Sequence, residues 1–326
     1  MSVLHKFSLQ KDYNQLKDYL AQHVPTTTML LGWLLGTGFY ETDRKGKCCI
    51  WTSHPDPFHC KDPVVWIFDS KHRTRVFVTS EVVLDLGTFT EEARELANCA
   101  VYKDKILPNY FVEPQLEILY NQSKEFLESA MRAFMEMHEG EVFLHGVNLL
   151  WSSVFHKLID AQFEAPCFKF VKPASSLDLD GEMALPHDLK LTKLEHQDIQ
   201  KVHSSNKVTY DIKYIEDCFR LSSAIRRVDN DELAAWTMTH RDFAVGALYV
   251  LPEYRRKGYA DVILHDVCKQ QVAFYKQAIP EKAADLYFSA TVEYFNTPSA
   301  NLFKKTGWVS LGLGRTWIAG SPVENK

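Results

Sequence analysis

Hydrophobic positions in the first half of this chain follow a helical period near its start and end, with a strand-like pattern between. Apolar residues at i, i+3 and i+4, or continuous apolar runs, predict helices, whereas short Ile-, Val-, Trp- and Phe-rich runs between turn residues predict strands. The predicted helices are Asp12–His23, Thr28–Gly38, Glu91–Lys103, Pro114–His138 and Val154–Gln162. The predicted strands are Cys48–Ser53, Val64–Asp69, Arg75–Thr79, Val142–Leu150 and Cys167–Val171.

A second half follows an acidic segment that contains proline and serine, residues 172–188, which we predict to be a linker. The predicted domains are therefore residues 1–171, the N-terminal half, and residues 189–326, the C-terminal half. The predicted strands of the C-terminal half are Leu189–Leu194, Ala224–Arg227, Glu232–Thr239, Phe243–Leu251, Asp285–Val292 and, as one strand or a pair, Trp308–Ile318. Its predicted helices are Glu195–His203, Ile212–Leu221, one that begins near Ala260, and Thr297–Thr306. Both halves mix helices with strands, so we predict an α/β protein with mixed sheets.

Composition indicates a globular protein and excludes several classes of partner. The 326 residues are 46% hydrophobic, and the formal net charge of −5 with dispersed Lys and Arg argues against nucleic acid. The longest uninterrupted apolar segment, Met29–Phe39, is shorter than the ~20 residues of a membrane span. The seven scattered cysteines show no Cys-x-x-Cys spacing, so we expect reduced thiols and no metal. Without a secretory segment at its start, the chain is expected to be intracellular and cytoplasmic.

The most chemically informative stretch is a strand that runs through a basic turn into a helix. The apolar strand Phe243–Leu251 ends at Pro252. The turn consists of Arg255, Arg256, Lys257, Gly258, Tyr259 and Ala260. The first turn of a helix offers free N–H groups and the positive end of the helix dipole, and small residues let an anion approach them. The pattern therefore predicts a pyrophosphate-binding turn. It is neither a dinucleotide fingerprint nor a P-loop, because it lacks the glycines of the first and the Gly-Lys-Ser/Thr of the second.

A second segment, Val292–Trp308, places a turn before a short helix that ends at Gly307. Together the two segments resemble the GNAT superfamily of acyl-CoA N-acyltransferases, in which the first binds the pyrophosphate of coenzyme A and the second packs against its pantetheine. The resemblance implies that Asn296, Ser299 and Phe303 contact the cofactor. It also implies a GNAT fold for the C-terminal half.

The N-terminal half mixes helices and strands over a similar length, which is consistent with a degenerate GNAT-like domain. It contains no Arg-x-x-Gly-x-Ala equivalent, so we expect it not to bind coenzyme A. Within the superfamily, Trp236 and the LPEYR sequence of Leu251–Arg255 resemble the glycine N-acyltransferase-like family. That resemblance covers residues 189–308 and adds mitochondria as an alternative compartment.

The resemblance implies direct transfer of the acyl group to an amine, without a covalent enzyme intermediate. The pantetheine arm would pair with the strand edge at Leu248, Tyr249 and Val250, and a backbone N–H near Val250 would stabilise the developing oxyanion. Two expected proton-transfer positions carry residues that cannot ionise, Phe303 and Ala244. The candidate replacements for the missing base are Glu293, which we favour slightly, Asp242 and His240.

The predicted function is transfer of an acyl group from acyl-CoA or acetyl-CoA, as co-substrate, to the amine of a small acceptor such as glycine or another amino acid. Arg226 and Arg227 are candidates to bind an acceptor carboxylate, although a solvated strand end is the favoured explanation for them. The missing base favours, as an alternative, a non-catalytic or weakly active acyl-CoA-binding protein. A protein N-acetyltransferase is a second alternative. Oligomeric state is left open.

Overall fold

The computed structural model describes residues 4–39, 48–70, 73–99, 109–138, 140–181, 183–208 and 210–323. Its helices are α1 (Leu9–Gln22), α2 (Thr28–Phe39), α3 (Glu81–Leu84), α4 (Glu91–Cys99), α5 (Pro114–Met137), α6 (Ser152–Leu158), α7 (Ile199–Ser205), α8 (Ile212–Cys218), α9 (Tyr259–Ala278) and α10 (Thr297–Lys305). Its strands are β1 (His5–Phe7), β2 (Cys48–Thr52), β3 (Val65–Ser70), β4 (Arg73–Val78), β5 (Val142–Asn148), β6 (Ile159–Pro173), β7 (Leu189–Thr192), β8 (Ser222–Arg227), β9 (Leu233–Thr239), β10 (Ala244–Val250), β11 (Tyr287–Glu293), β12 (Val309–Ser310) and β13 (Arg315–Pro322).

The strands form one mixed sheet, which confirms the predicted fold class. Their order is β1-β2-β3-β4-β5-β13-β6-β11-β10-β9-β8-β7, and β12 pairs with β6 beside this path. Most neighbours are antiparallel, but β4 with β5 and β10 with β11 are parallel. A parallel neighbour needs a crossover, which α5 and α9 supply. No described helix is long and apolar enough to cross a membrane.

The two halves repeat one topology. In the N-terminal half the antiparallel strands β2, β3 and β4 are followed by the crossover helix α5 and the parallel strand β5. In the C-terminal half β8, β9 and β10 are followed in the same way by α9 and β11. The repeated order supports the interpretation of the N-terminal half as a degenerate copy of the C-terminal one.

The halves also exchange strands. The long strand β6 begins beside β13 and ends with Cys167–Pro173 paired along β11 of the C-terminal half. In return β13, the last strand of the chain, lies between β5 and β6 and pairs with both. The division at residues 171 and 189 therefore does not separate two sheets, because each half contributes a strand to the other.

Two predicted boundaries, the end of a helix and the start of the linker, are wrong for the same reason. The helix predicted to reach Gln162 ends at Leu158, because Ile159 already pairs with Pro322 in the sheet. The predicted linker starts too early, since Lys172 and Pro173 still belong to β6. Both errors arise where a strand pairs with a partner that is distant in sequence, a contact that local periodicity does not contain.

Close contact between the halves depends on a glycine in α2. A Cβ placed on Gly32 would lie 2.2 Å from the carbonyl oxygen of Asp242, in the turn between β9 and β10. The apolar helix α2 can therefore lie directly on that turn only because position 32 has no side chain. Phe243 in the same turn is fully buried in a core that also contains Trp33 and Leu34 of α2. The N-terminal half thus supports the start of β10.

Candidate active site

Strands β10 and β11 are paired only where they begin. Ala244 pairs with Ser289 and Val245 with Ala290, and among the described residues the parallel pairing ends there. From Gly246 onward β10 remains paired to β9 on its other side, with a bulge between Gly246 and Tyr249. Ala247 in this bulge has a positive φ of 49°. The two strands therefore separate after Val245, and the bulge marks where the separation starts.

The separated part of β10 presents a free strand edge toward β11. The N–H of Leu251 donates to the carbonyl of Ala234 in β9 at 3.0 Å. Because successive residues of a strand direct their backbone groups to opposite sides, the N–H and carbonyl of Val250 point away from β9, toward β11. Leu248, two residues earlier, faces the same way. The carbonyl of Val250 accepts a 3.0 Å hydrogen bond from Nε of Arg255, so this arginine is already used at the strand end.

The basic turn after β10 is open. Gly258 has a φ of +83°, and a Cβ placed on it would have no atom within 4 Å. Arg256 also has a positive φ, 63°, and both it and Lys257 are exposed. The Nζ of Lys257 lies 5.4 Å from the centre of the Tyr254 ring. The 20-residue helix α9 begins directly after Gly258, so its free N–H groups point into this basic, solvent-open turn.

Two residues predicted to contact a cofactor have buried side chains. Tyr259 is 7% exposed and packs in the core beneath α9. Phe303 is 4% exposed, with its ring stacked on Phe170 at 5.5 Å. Little more than the backbone of either residue remains accessible. Ala260, the other small position of the turn, is half-buried.

The second segment forms the capped helix that its sequence predicts. The side chain of Asn296 accepts a 3.3 Å hydrogen bond from the N–H of Ser299, as an N-cap does. Ser299 is half-buried in the first turn of α10. The role of Asn296 in this structure is thus to begin the helix.

Two of the three candidate bases are held in ion pairs. The carboxylate of Glu293, at the end of β11, lies 2.9 Å from Nζ of Lys207. Asp242 is buried and pairs with Arg75 of the N-terminal half at 3.4 Å. Each of these carboxylates therefore already has a cation of the protein as its partner.

His240, the third candidate, lies at the bulge itself. A Cβ placed on Gly246 would be 2.0 Å from Nε2 of His240, so the ring covers the residue at which β10 leaves β11. Its Nδ1 is 2.9 Å from the hydroxyl of Tyr214. Burial lowers the pKa of His240 below its usual value, an effect that Asp242 opposes and Arg73 reinforces. The imidazole is therefore neutral at pH 7.

The aromatic surroundings of His240 were not predicted from the sequence. Tyr210 and Tyr214 stack on each other at 5.2 Å, and the His240 ring lies 5.5 and 5.9 Å from them. Arg73, from β4 of the other half, is 5.7 Å from the Tyr214 ring. The Tyr-x-x-x-Tyr spacing, which runs from just before α8 into its first turn, could have indicated that the two rings lie on one side. Nothing in the sequence connects Arg73 to them, because the contact joins residues from different halves.

The arginines considered for an acceptor carboxylate are both engaged elsewhere. Arg226 is 2% exposed and forms a buried ion pair with Asp198, the residue that caps the turn before α7. Arg227 forms an exposed pair with Asp229. A solvated strand end therefore describes Arg227 but not Arg226, which is buried, and both arginines already have a carboxylate partner within the chain. The described residues include no group of His, Cys, Asp and Glu side chains suited to a metal ion.

In the N-terminal half, side chains of the protein fill the position that corresponds to the gap between β10 and β11. Thr74 pairs with Leu144 where β4 meets β5, and beyond this point the N–H of Val78 donates to Oε1 of Glu81 at 3.0 Å. The other oxygen of Glu81 accepts a 2.8 Å bond from Arg315 of β13. The cavity that remains there is about 20 Å³, room for one water molecule. This gap is therefore occupied by side chains of the chain itself.

Comparison with known proteins agrees with this architecture. Residues 224–318 match the family model for FR47-like protein. A solved structure of a Drosophila protein shares 16% sequence identity with a TM-score of 0.61, covering 99% of both chains. A tandem GNAT protein from the clavulanic acid biosynthesis pathway shares 9% identity with a TM-score of 0.49, also over 99% of both chains. A GCN5-related N-acetyltransferase from Sphaerobacter thermophilus shares 9% identity with a TM-score of 0.44, over 97% of this chain and 94% of the other. No curated protein sequence matches the chain.

These findings define the class of protein at the level of the fold. The C-terminal half has the fold of the GNAT superfamily, with the FR47-like match lying across β8 to β13. The Drosophila structure shows that the complete architecture of two halves occurs in another protein.

Proposed function

We propose that this protein is an acyl-CoA-dependent N-acyltransferase that acylates the amine of a small acceptor, glycine or another amino acid being the acceptors suggested by the family resemblance. The observation that carries the proposal is the separation of β10 from β11 next to an open basic turn at the start of α9. A free strand edge can pair with an amide-rich arm, and a helix N-terminus beside cations can bind its terminal phosphates.

The residues present fit an acyl-CoA. The pyrophosphate would lie against Gly258, whose open face offers no steric obstacle, with Arg256 and Lys257 as counter-ions. The pantetheine amides would pair with the edge at Leu248 and Val250. Arg255 would have to release the Val250 carbonyl, or share it, for the full pairing to form. We expect both segments to bind without the side chains of Tyr259 and Phe303.

The mechanism we propose uses His240 as the base. The thioester supplies an activated acyl carbon and a thiolate leaving group, which needs no acid at position 303. When Nδ1 of His240 carries its proton toward Tyr214, Nε2 has its lone pair at Gly246 and can take the proton of the attacking amine. A C–N bond forms as the C–S bond breaks. The N–H of Val250 would donate to the acyl oxygen.

The test is thiol release from acetyl-CoA and longer acyl-CoAs with a panel of small amines, alongside melting temperatures with each acyl-CoA. We expect a rise in melting temperature with at least one acyl-CoA and thiol release with at least one amine. A thermal shift without release for any acceptor would favour the acyl-CoA-binding alternative. The absence of any shift would overturn the proposal.

A further inference from the structure

Arg73 has no carboxylate partner among the described residues, whereas the arginines around it have one. It begins β4, is half-buried, and lies over the Tyr214 ring at 5.7 Å. Nearby, Arg75 pairs with Asp242, and Arg241, which covers the same ring at 4.8 Å, pairs with Asp217. Within the described residues no carboxylate lies at ion-pair distance from Arg73. The cluster of three arginines and two aspartates therefore carries one uncompensated positive charge.

Arg73 is half-buried, so part of its side chain is removed from water. Removing a guanidinium from water is costly unless a counter-ion or hydrogen-bond acceptors replace the water, and the ring of Tyr214 compensates only in part. Arginine is also the side chain best suited to bind a planar carboxylate or a phosphate with two hydrogen bonds. The arrangement is that of a cation kept available for an anion that is not part of the chain.

Arg73 also lies on the side of the site where an acceptor would approach. A continuous aromatic group joins it to the bulge, from the Tyr214 ring through His240 to Gly246. The basic turn at Gly258 follows the other end of β10, beyond Val250. An acceptor with its amine at His240 and its anionic group at Arg73 would span this row of rings, from the C-terminal half to the N-terminal half.

We infer that Arg73 is a specificity-determining residue, contributed by the N-terminal half, that binds an anionic group of the acceptor. The substrate class is a small amine that carries a carboxylate or a phosphate. This inference rests on the proposed function for the position of the amine. It also gives the N-terminal half a role in the site after its own gap has been filled by Glu81 and Arg315.

The experiment uses two matched pairs of amines that differ in charge and keep the amino group: glycine with glycinamide, and ethanolamine phosphate with ethanolamine. For each amine, kcat/KM for thiol release and the thermal shift in saturating coenzyme A are measured with the full chain. We expect the wild type to prefer the charged member of at least one pair, and which pair responds distinguishes a carboxylate from a phosphate.

Arg73→Gln should reduce that preference by about 10- to 100-fold, the usual effect of removing a charged hydrogen-bonding group. Arg94→Gln is the matched control, because Arg94 also lies over an aromatic ring in the N-terminal half, Phe89 at 5.9 Å, but far from the bulge. Arg73→Lys should restore part of the preference.

The experiment distinguishes a failure of the proposed reaction from a failure of the anion site at Arg73. If no amine is acylated but the charged amine raises the melting temperature of the wild type and not of Arg73→Gln, the anion site stands and the proposed reaction does not. If charged and neutral amines behave alike in both readouts, or if Arg73→Gln keeps the wild-type preference, the inference is overturned.

Discussion

At the scale of single residues, the chemistry depends on which ionisable side chain is left able to accept a proton. The three candidate bases lie near the end of β9, the start of β10 and the end of β11. Two of them, Glu293 and Asp242, form ion pairs with Lys207 and Arg75. His240 is kept neutral by burial and contacts the bulge through Gly246. Reactivity here follows from the partners of each group and not from residue type alone.

We therefore expect His240→Gln to lower the rate of thiol release by about 10²- to 10⁴-fold, as removal of a general base does. Binding of acyl-CoA, measured by thermal shift, should be unchanged. Because the pKa of His240 lies below its usual value, wild-type activity should persist at pH 6.5 and fall only at lower pH, as the imidazole gains its proton. Glu293→Gln is the control. Equal losses in both variants would assign the base elsewhere.

A buried lysine predicts a pH dependence of stability. Lys169 is 1% exposed and donates to the carbonyls of Pro25 and Thr26, and burial lowers its pKa to about 7. Between this value and the unfolded value of 10.5 the unfolded chain binds more protons than the folded one. Stability should therefore rise with pH in this window.

The measurement is the free energy of unfolding in urea from pH 7 to 8.5. We expect a gain on the order of 1 kcal/mol for the wild type, and a flatter profile for Lys169→Met. This range avoids the titration of buried histidines, whose contribution changes below about pH 6.5, and of the buried thiols, which matter above pH 9. A wild-type profile that falls with pH would show that Lys169 keeps its proton in the folded state.

At the scale of elements, the turn from β10 into α9 is the strongest candidate for anion binding. Two consecutive features make it so: left-handed backbone at Arg256 and Gly258, and a long helix that begins immediately after them. The positive φ of Gly258 would disfavour any larger residue, so a substitution there affects backbone and access together.

Gly258→Leu should abolish the thermal shift produced by acyl-CoA, because the new side chain would occupy the open face of the turn. Gly140→Leu is a matched control, since Gly140 has a similar φ of +86° and equally open surroundings but lies between α5 and β5. Both variants should lose a similar amount of intrinsic stability. A shift that survives in Gly258→Leu would place the anion site elsewhere.

At the scale of the whole molecule, strand exchange makes the two halves one cooperative structure. The edge of β11 is covered by β6 from the N-terminal half, and β13 has its partners in β5 and β6. The turn that begins β10 also rests on α2. Neither half contains all the strands of its own part of the sheet, so the site in one half depends on the other.

A fragment of residues 182–326 should therefore not show a cooperative thermal transition by circular dichroism, because β11 would be left with an exposed edge and β13 without partners. Mixing it with a fragment of residues 1–181 during refolding should restore the transition and the response to acyl-CoA. Cooperative unfolding of the C-terminal fragment alone would contradict this dependence.

How far the sequence predicted the structure differs between elements and contacts. The three strands after Cys48, the long helix from Pro114 and the β10-to-α9 turn were all predicted within a few residues, because apolar period and turn chemistry are local properties. The start of β6 was not, because its pairing with β13 joins residues more than 140 positions apart. The part of Glu91–Lys103 beyond Cys99 lies outside the described residues.

The sequence by itself determined the fold class and the location of the basic turn, since a basic turn between a strand and a helix is written in consecutive residues. Only the tertiary structure decided which candidate bases lie in ion pairs, that Phe303 and Tyr259 are core, and that β6 and β13 are exchanged. It also placed Arg73 beside Tyr214. These outcomes depend on contacts between distant segments, where burial and charge pairing set the state of each side chain.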